Sequence, residues 1–475
     1  MNRISVISLY VLPLFLCLAS IVSCKEPHAD NVALQFSQPL VHFDTVFTSI
    51  TSTTKRFTVH NTSNSDVKTT IYLAGASNSN SYYSLNVNGL AGTFFKDEVI
   101  PKKDSIWVFV TVNINPGLQN NPFLVTDSIV FLTGQRKQDV KLLAYGQDAR
   151  YIIADQGHPS LRFKVVAGEH ETVRWTNEKP YVVFGWAAID STGTLIIEPG
   201  TRVHFHHNSG LWAYRYSNLE VNGTLEAPVV FRGDRLEAWF DNDFAQWNRI
   251  WINEGADVKI NNAIITNAFI GVQVEPLPDG NTINVTPDSK VTIENTIIKN
   301  TKHCGVLSRF LNIDMTNCVI INNGASSLQL EGGQYTMKHL TVANYFSQVE
   351  RKAPACYVSN RIADYEALWE IKADFINCII YGSQETEVFV NKVDNADLKA
   401  SFQNCLIRAK DNSSYFTDCE RNKDPEFTDV KKLDFTLQSS SPAIGKGIPI
   451  IGVDRDILGN SRGNPPTIGA YELGR

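Results

Sequence analysis

Three short segments carry the residues best suited to chemistry. GVQVEP (271–276), GVLSRF (305–310) and SLQLEG (327–332) share a period of two. With Val272/Val274, Val306/Ser308 and Leu328/Leu330 facing inward, Gln273/Glu275, Leu307/Arg309 and Gln329/Glu331 face outward in register. Glu275 and Glu331 then flank Arg309 on one sheet, about 9–10 Å apart across two strand spacings. Carboxylates so separated leave room for the water of an inverting glycoside hydrolysis. An arginine beside acids is also what a lyase needs to neutralise a uronate. A cross-strand ion ladder on an exposed face has the same pattern. The catalytic candidates are Glu275, Arg309 and Glu331.

A second group is aromatic. Six of the eight tryptophans fall between 175 and 251: Trp175, Trp186, Trp212, Trp239, Trp247 and Trp251, with Tyr214 and Tyr216 among them. Flat aromatic faces beside polar groups suit stacking on the C–H face of a sugar. Trp212, Trp239 and Trp247 sit on or beside polar insertions (HHNSGLWAYRYS, RLEAWFDNDFAQW), where exposure is expected. Trp212, Tyr214, Trp239 and Trp247 are the glycan-binding candidates; the competing role is packing, since tryptophan is mostly buried.

A third group is VHFHHN. His204 and His206, at i and i+2 on a strand, share a face and could share a metal with Asp234, Asp241 or Asp243. No third ligand is fixed, and no metal or cofactor is assigned. The cysteines at 304, 318, 356, 378, 405 and 419 form no CxxC pair. Cys378 and Cys405, on adjacent repeats, are either a disulfide or stacked buried thiols.

These groups need elements to position them. From 34 to 148 short alternating strands such as KRFTVHNTS (55–63) and DSIWVFVTVNI (104–114) are broken by polar turns, predicting an Ig-like β-sandwich. Residues 149–173 read as a connector. From 174 to 475 the rhythm is a repeat: KINNAIITNA, TIENTIIKNT, TNCVIINN, TMKHLTVANY, DFINCIIYGS and SFQNCLIRAK align on Ala263, Thr296, Cys318, Leu340, Cys378 and Cys405, at intervals of 33, 22, 22, 38 and 27 residues. Repeats near 22 residues, rich in Ile and Val, predict a parallel β-helix of about eleven turns. The aligned residues stack inside. Asn262, Asn295, Asn317, Asn377 and Asn404, with His339 in the column, make tight left-handed corners. A second column, Asn267, Asn300, Asn322 and Asn344, marks the next bend. The fold class is all-β: an N-terminal Ig-like β-sandwich, then a right-handed parallel β-helix.

Several stretches resemble known families. FTVHNTS with VIPKKDSIWVFVTV and DSIVFLTGQRKQDVKLLAYG resembles the abnormal-spindle/hydin type of Ig-like module, which implies a spacer or a surface for a protein partner. GTLIIEPGTRVHFH and NLEVNGTLEAPVVFRGD, with the Asn coils, resemble right-handed β-helices of the pectin-lyase-like superfamily. The tail, with Ser441-Pro442-Ala443-Ile444, Asp454, Asp456, Arg462 and Ile468-Gly469-Ala470-Tyr471-Glu472, resembles the "choice-of-anchor Q" terminus and reads as a cap over an open edge.

The first residues, MNRISVISLYVLPLFLCLASIVSC, read as a secretory signal, and Ile21-Val22-Ser23-Cys24 resembles a bacterial lipobox. This implies a Bacteroidetes-like surface lipoprotein: signal peptide 1–23, lipidated Cys24 and tether to residue 33, and an outer-membrane address on either face, held by the lipid anchor. The net charge of −6 gives no electrostatic reason to expect a nucleic-acid partner, which needs a basic patch. The functional expectation is a non-catalytic glycan-binding or adhesive scaffold on the cell envelope. The alternative is a polysaccharide lyase or glycoside hydrolase using Glu275, Arg309 and Glu331.

Overall fold

The computed structural model describes residues 31–78, 81–115, 123–279, 282–283, 285, 289–348, 350–410 and 414–473. The expected signal segment and Cys24 lie outside them. The chain divides into two compact units, Met1–Asp148 and Ala149–Arg475.

The first unit is an Ig-like β-sandwich of two five-stranded sheets. One runs Gln35–Phe36, Lys55–His60, Ser105–Val112, Tyr83–Val87, Leu90–Gly92; the other Leu40–Phe47, Arg136–Gln147, Phe123–Thr133, Val67–Leu73, Phe94–Ile100. Alternation supplies the core: Phe57 and Val59, Val108 and Val110, and Val140 and Leu142 face in, while Thr58, Phe109 and Lys141 between them face out.

The second unit is a right-handed parallel β-helix with three long sheets of eleven, ten and ten strands. The eleven-stranded sheet runs from Arg150–Ile153 to Glu420–Arg421 and is called the first sheet here. The second includes Gly210–Ala213, Val272–Val274, Val306–Arg309 and Leu328–Glu331, and the third Lys290–Glu294, Gly333–Lys338, Ile371–Ile376 and Leu398–Gln403. Inside the first sheet one row passes through Val203, Phe231, Ile265, Ile298, Ile320, Val342, Ile380 and Ile407, each paired with the next and all fully buried. The aligned residues from Ala263 to Cys405 are buried as expected.

The corners follow from the asparagines. Asn262, Asn295, Asn317, His339, Asn377 and Asn404 all have φ between 48° and 55°. An L-residue there costs roughly 1–2 kcal/mol, least for Asn, whose short amide finds local partners. The Asn295 amide donates to Asn261 Oδ1 (3.0 Å), and Asn317 Nδ2 donates to Asn295 Oδ1 (3.2 Å). In the second column Asn267, Asn300 and Asn322 are left-handed, but Asn344 is not. It ends the strand Thr341–Asn344 and donates to the carbonyls of Asn323 and Ala325, so the bend has moved off that residue.

Two expectations are corrected. Residues 149–173 are not a connector: Arg150–Ile153 pairs with Tyr181–Phe184, Leu161–Ala167 with Trp186–Ile189, and Thr172–Trp175 with Thr194–Ile197, which is the first coil. The antiparallel Gln156–His158 closes the edge of the second sheet. The tail is not a cap over the far edge either. Phe427, Phe435, Leu437, Ala443, Ile457, Ile468 and Ala470 lie along the outer face of the first sheet, on Val319, Ile321, Ala343, Ile379 and Leu406. That outer row is apolar in sequence because it is a second core, not an exposed flank.

Candidate functional site

The outer face of the second sheet gathers most of the residues singled out by type and spacing. Val272, Val306 and Leu328 pair in one row, Gln273, Leu307 and Gln329 in the next, then Val274, Ser308 and Leu330, with Arg309 opposite Glu331. Glu275, Arg309 and Glu331 are therefore neighbours, in the register period two demands. They are not exposed. The insertion after Ser359, a hairpin of Arg361–Ile362 and Ala367–Leu368 around the 3-10 turn Ala363–Tyr365, lies over them, and both glutamates are buried.

Arg309 sits at the centre of an ion network. Its Nη1 donates to Glu275 Oε2 (3.0 Å), Nε to Glu331 Oε2 (2.9 Å) and Nη2 to Asp364 Oδ2 (2.6 Å). The Gln273 and Gln329 amides donate to the far oxygens of Glu275 and Glu331, and Arg249 donates to Gln273. The Tyr365 hydroxyl reaches Glu275 Oε2 at 3.5 Å, and its ring lies 5.8 Å from the Arg309 guanidinium. Burial, then the charge of Glu275, pushes that hydroxyl up to about 12. Burial alone would pull the Arg309 guanidinium down, but Glu275, Glu331 and Asp364 outweigh it and hold it above its ordinary value.

This arrangement fixes structure better than it does acid–base work. The gap that a water or sugar would occupy between the glutamates is filled by the guanidinium. Each nitrogen of Arg309 already faces a carboxylate, and three carboxylates around one guanidinium leave no net positive charge to neutralise a uronate. Asp364 and Tyr365 were invisible to the spacing argument. Their only trace was the long interval between Leu340 and Cys378, which marks an insertion.

The aromatic candidates separate. Trp247 is core, 1 % exposed, stacked on Phe205 (4.4 Å, 14°) with Nε1 donating to Thr266 O (2.8 Å). Its expected exposure is corrected: it takes the place of a strand residue, bridging to Ala268. Trp212 is also largely buried, stacked on Trp251 (5.2 Å, 15°) and donating to Asn253 Oδ1 (2.6 Å). Its edge nevertheless lines a cleft of about 290 Å³ with Phe163, Ala188, Tyr214, Asp190 and Gln156. Phe163 and Tyr214 meet Trp212 edge to face at 5.9 and 5.3 Å. Trp239 alone is plainly exposed, at 59 %, on the 3-10 turn Ala238–Phe240, away from that cleft's lining.

The histidines do not converge. The strand ends at Phe205, so His204 and His206 part. His204 is buried against Gly233 O (3.2 Å) and burial pulls its pKa down to about 3. His206 is half exposed, bonds Asp234 (2.7 Å), and is raised by that contact. Asp241 pairs instead with Arg232 (2.9 Å). Among the described residues no group of three or more His, Cys, Asp or Glu could hold a metal. The six described cysteines are free thiols, and the Cys378 amide faces Cys405 Sγ at 3.3 Å. No described helix is long and apolar enough to cross a membrane.

A family profile described as "Right handed beta helix region" matches residues 189–360, the stretch that carries this face. Among solved structures, the chain is similar to the ASH / PapD-like domain of human CEP192 (PapD-like domain 7). That match has 11% identity and a TM-score of 0.16, and covers 26% of this chain and 97% of that one. At that TM-score the likeness carries no weight for fold or function. No curated protein matches the chain.

Proposed function

We propose that the β-helix is a non-catalytic glycan-binding scaffold, with carbohydrate held in the cleft beside Trp212 and Tyr214. One observation carries this reading: an open cleft lined by Phe163 and Tyr214, each packed on Trp212, together with Asp190 and Gln156. A sugar needs an apolar face and a few convergent polar groups, and ligand sites are generally built so. Catalysis by Glu275, Arg309 and Glu331 is the less supported reading, because Arg309 occupies the space between the acids.

The same proposal makes the chain an envelope lipoprotein anchored through Cys24, with an Ig-like unit of the abnormal-spindle/hydin spacer type and a "choice-of-anchor Q" tail. Detergent partitioning of wild type and Cys24→Ser tests the anchor; equal partitioning counts against it.

The cleft is tested on a glycan array and by titration of its best hit. Tyr214→Ala and Gln156→Ala should each weaken binding about tenfold, or 1.4 kcal/mol, while Trp239→Ala leaves it unchanged. Binding lost only with Trp239 would move the site there. Release of reducing ends or unsaturated uronates, abolished by Glu331→Gln, would replace the scaffold reading with an enzyme.

A further inference from the structure

A second recess, on the third sheet, is built with more care than packing requires. Its volume is about 380 Å³, and its one large exposed ring is Trp369, 40 % exposed. Three local features set that ring. Gly332 has φ +69°, and a Cβ there would stand 2.9 Å from Trp369 Cβ, so the indole lies where only glycine allows it. Phe310 meets the indole edge to face at 5.6 Å. Phe310 is itself left-handed, φ +66°, a conformation that is a genuine outlier for a bulky side chain. The backbone is fixed too: Trp369 N donates to Asn360 O (2.9 Å) and Gly333 N to Glu370 O (2.8 Å). Strain of this kind gathers where a surface is held in one shape.

Beside the ring runs a polar column. Gln334, Lys372 and Lys399 occupy one register position on successive coils, and Asn312 Oδ1 accepts from the Gln334 backbone N–H (2.6 Å). Strand spacing sets these groups about 4.8 Å apart along the coil axis. The formal charges balance: the lining holds Lys372 and Lys399 with Glu370 and Asp397, and the two lysines pair with Asp374 (3.3 Å) and Asp397 (3.8 Å). A strongly anionic or cationic ligand therefore finds no net attraction.

We infer that this recess is a second carbohydrate site, for a neutral, unbranched oligosaccharide. One sugar ring lies on the Trp369 indole, and hydroxyls of the following sugars exchange hydrogen bonds with Gln334, Lys372 and Lys399. The ligand class rests on the glycan-binding reading above, but the residues are independent of the Trp212–Tyr214 cleft. Two sites on one solenoid would hold a long polymer far more tightly than either alone.

The full-length chain, in detergent, is titrated with cellohexaose, mannohexaose and xylohexaose, by calorimetry and tryptophan fluorescence. Trp369→Ala should weaken one of the three about tenfold, and should do so also in a Tyr214→Ala background. Gln334→Ala and Lys399→Ala, surface changes that leave thermal unfolding alone, should weaken it several-fold. If Trp369→Ala and Gln334→Ala leave binding intact while Tyr214→Ala abolishes it, the second site is wrong and the first stands. If Trp369→Ala alone abolishes it, the second stands and the cleft reading fails. No binding of any hexasaccharide overturns the second site, and the glycan array then decides the cleft.

Discussion

Arg351 and Glu387 form a bidentate ion pair in which neither side chain is more than 1 % exposed. Arg351 also donates to the Asn344 and Ala353 carbonyls, and Glu387 accepts from the Ala355 amide (2.8 Å), so the pair pins the 345–355 insertion to the coil. Arg351→Met strands a buried carboxylate and should destabilise by about 3–5 kcal/mol in urea unfolding, while Arg351→Met with Glu387→Leu should recover most of it. His339 is buried among Gly469 O (3.2 Å) and the Asn377 amide (2.9 Å). Burial, reinforced by Arg462, lowers its pKa from 6.5 to about 3. The folded state therefore favours neutral imidazole, and between those two values only the unfolded chain takes up the proton. This contribution is complete above pH 6.5 and falls as the pH drops toward 3. His339→Asn keeps a residue that tolerates the left-handed corner and should flatten that part of the acid limb in a pH series of unfolding midpoints; an unchanged slope would falsify the assignment.

At the level of the element, a corner residue does two jobs that substitution can separate. Asn295→Ala loses two side-chain hydrogen bonds, about 1 kcal/mol each, and adds left-handed strain of about 1–2 kcal/mol; Asn295→Gly loses only the bonds. Thermal unfolding should rank wild type above Gly and Gly above Ala. The corners, the stacked interior and the Glu275–Arg309–Glu331 register were legible because each repeats, and repetition lets local pattern stand for geometry. What was not legible is what covers the repeats. The hairpin carrying Asp364 and Tyr365 turns a surface row into a buried network. Trp247 reads as part of a polar insertion, yet it stacks on Phe205 inside the coil. Both depend on contacts between segments distant in sequence, and periodicity holds no record of those.

For the β-helix as a whole, the tail is its largest non-repeating contribution. It covers an apolar row running through Val319, Ile379 and Leu406. Each large side chain in such a row is worth about 1.5–3 kcal/mol when buried. Truncation after residue 423 should therefore lower the unfolding temperature and raise binding of a hydrophobic dye; a soluble, dye-silent truncation would show that the coils stand without it. The tail also meets the corners one by one. Arg462 donates to Asn317 (2.7 Å), Gly469 O takes His339, Asn377 Nδ2 donates to Ile448 O (2.7 Å) while its Oδ1 accepts from Ile448 N–H (2.9 Å), and Asn404 reaches Lys446 O (3.2 Å). These are four successive corners. The tail thus works as a gauge of fixed length: a coil inserted between Asn317 and Asn404 would leave every later contact one step out of phase. The gauge also reaches upstream, since a Cβ on Gly459 would meet the Leu225 side chain at 3.1 Å, so a coil gained or lost between Leu225 and Asn317 would shift the tail off its seat as well.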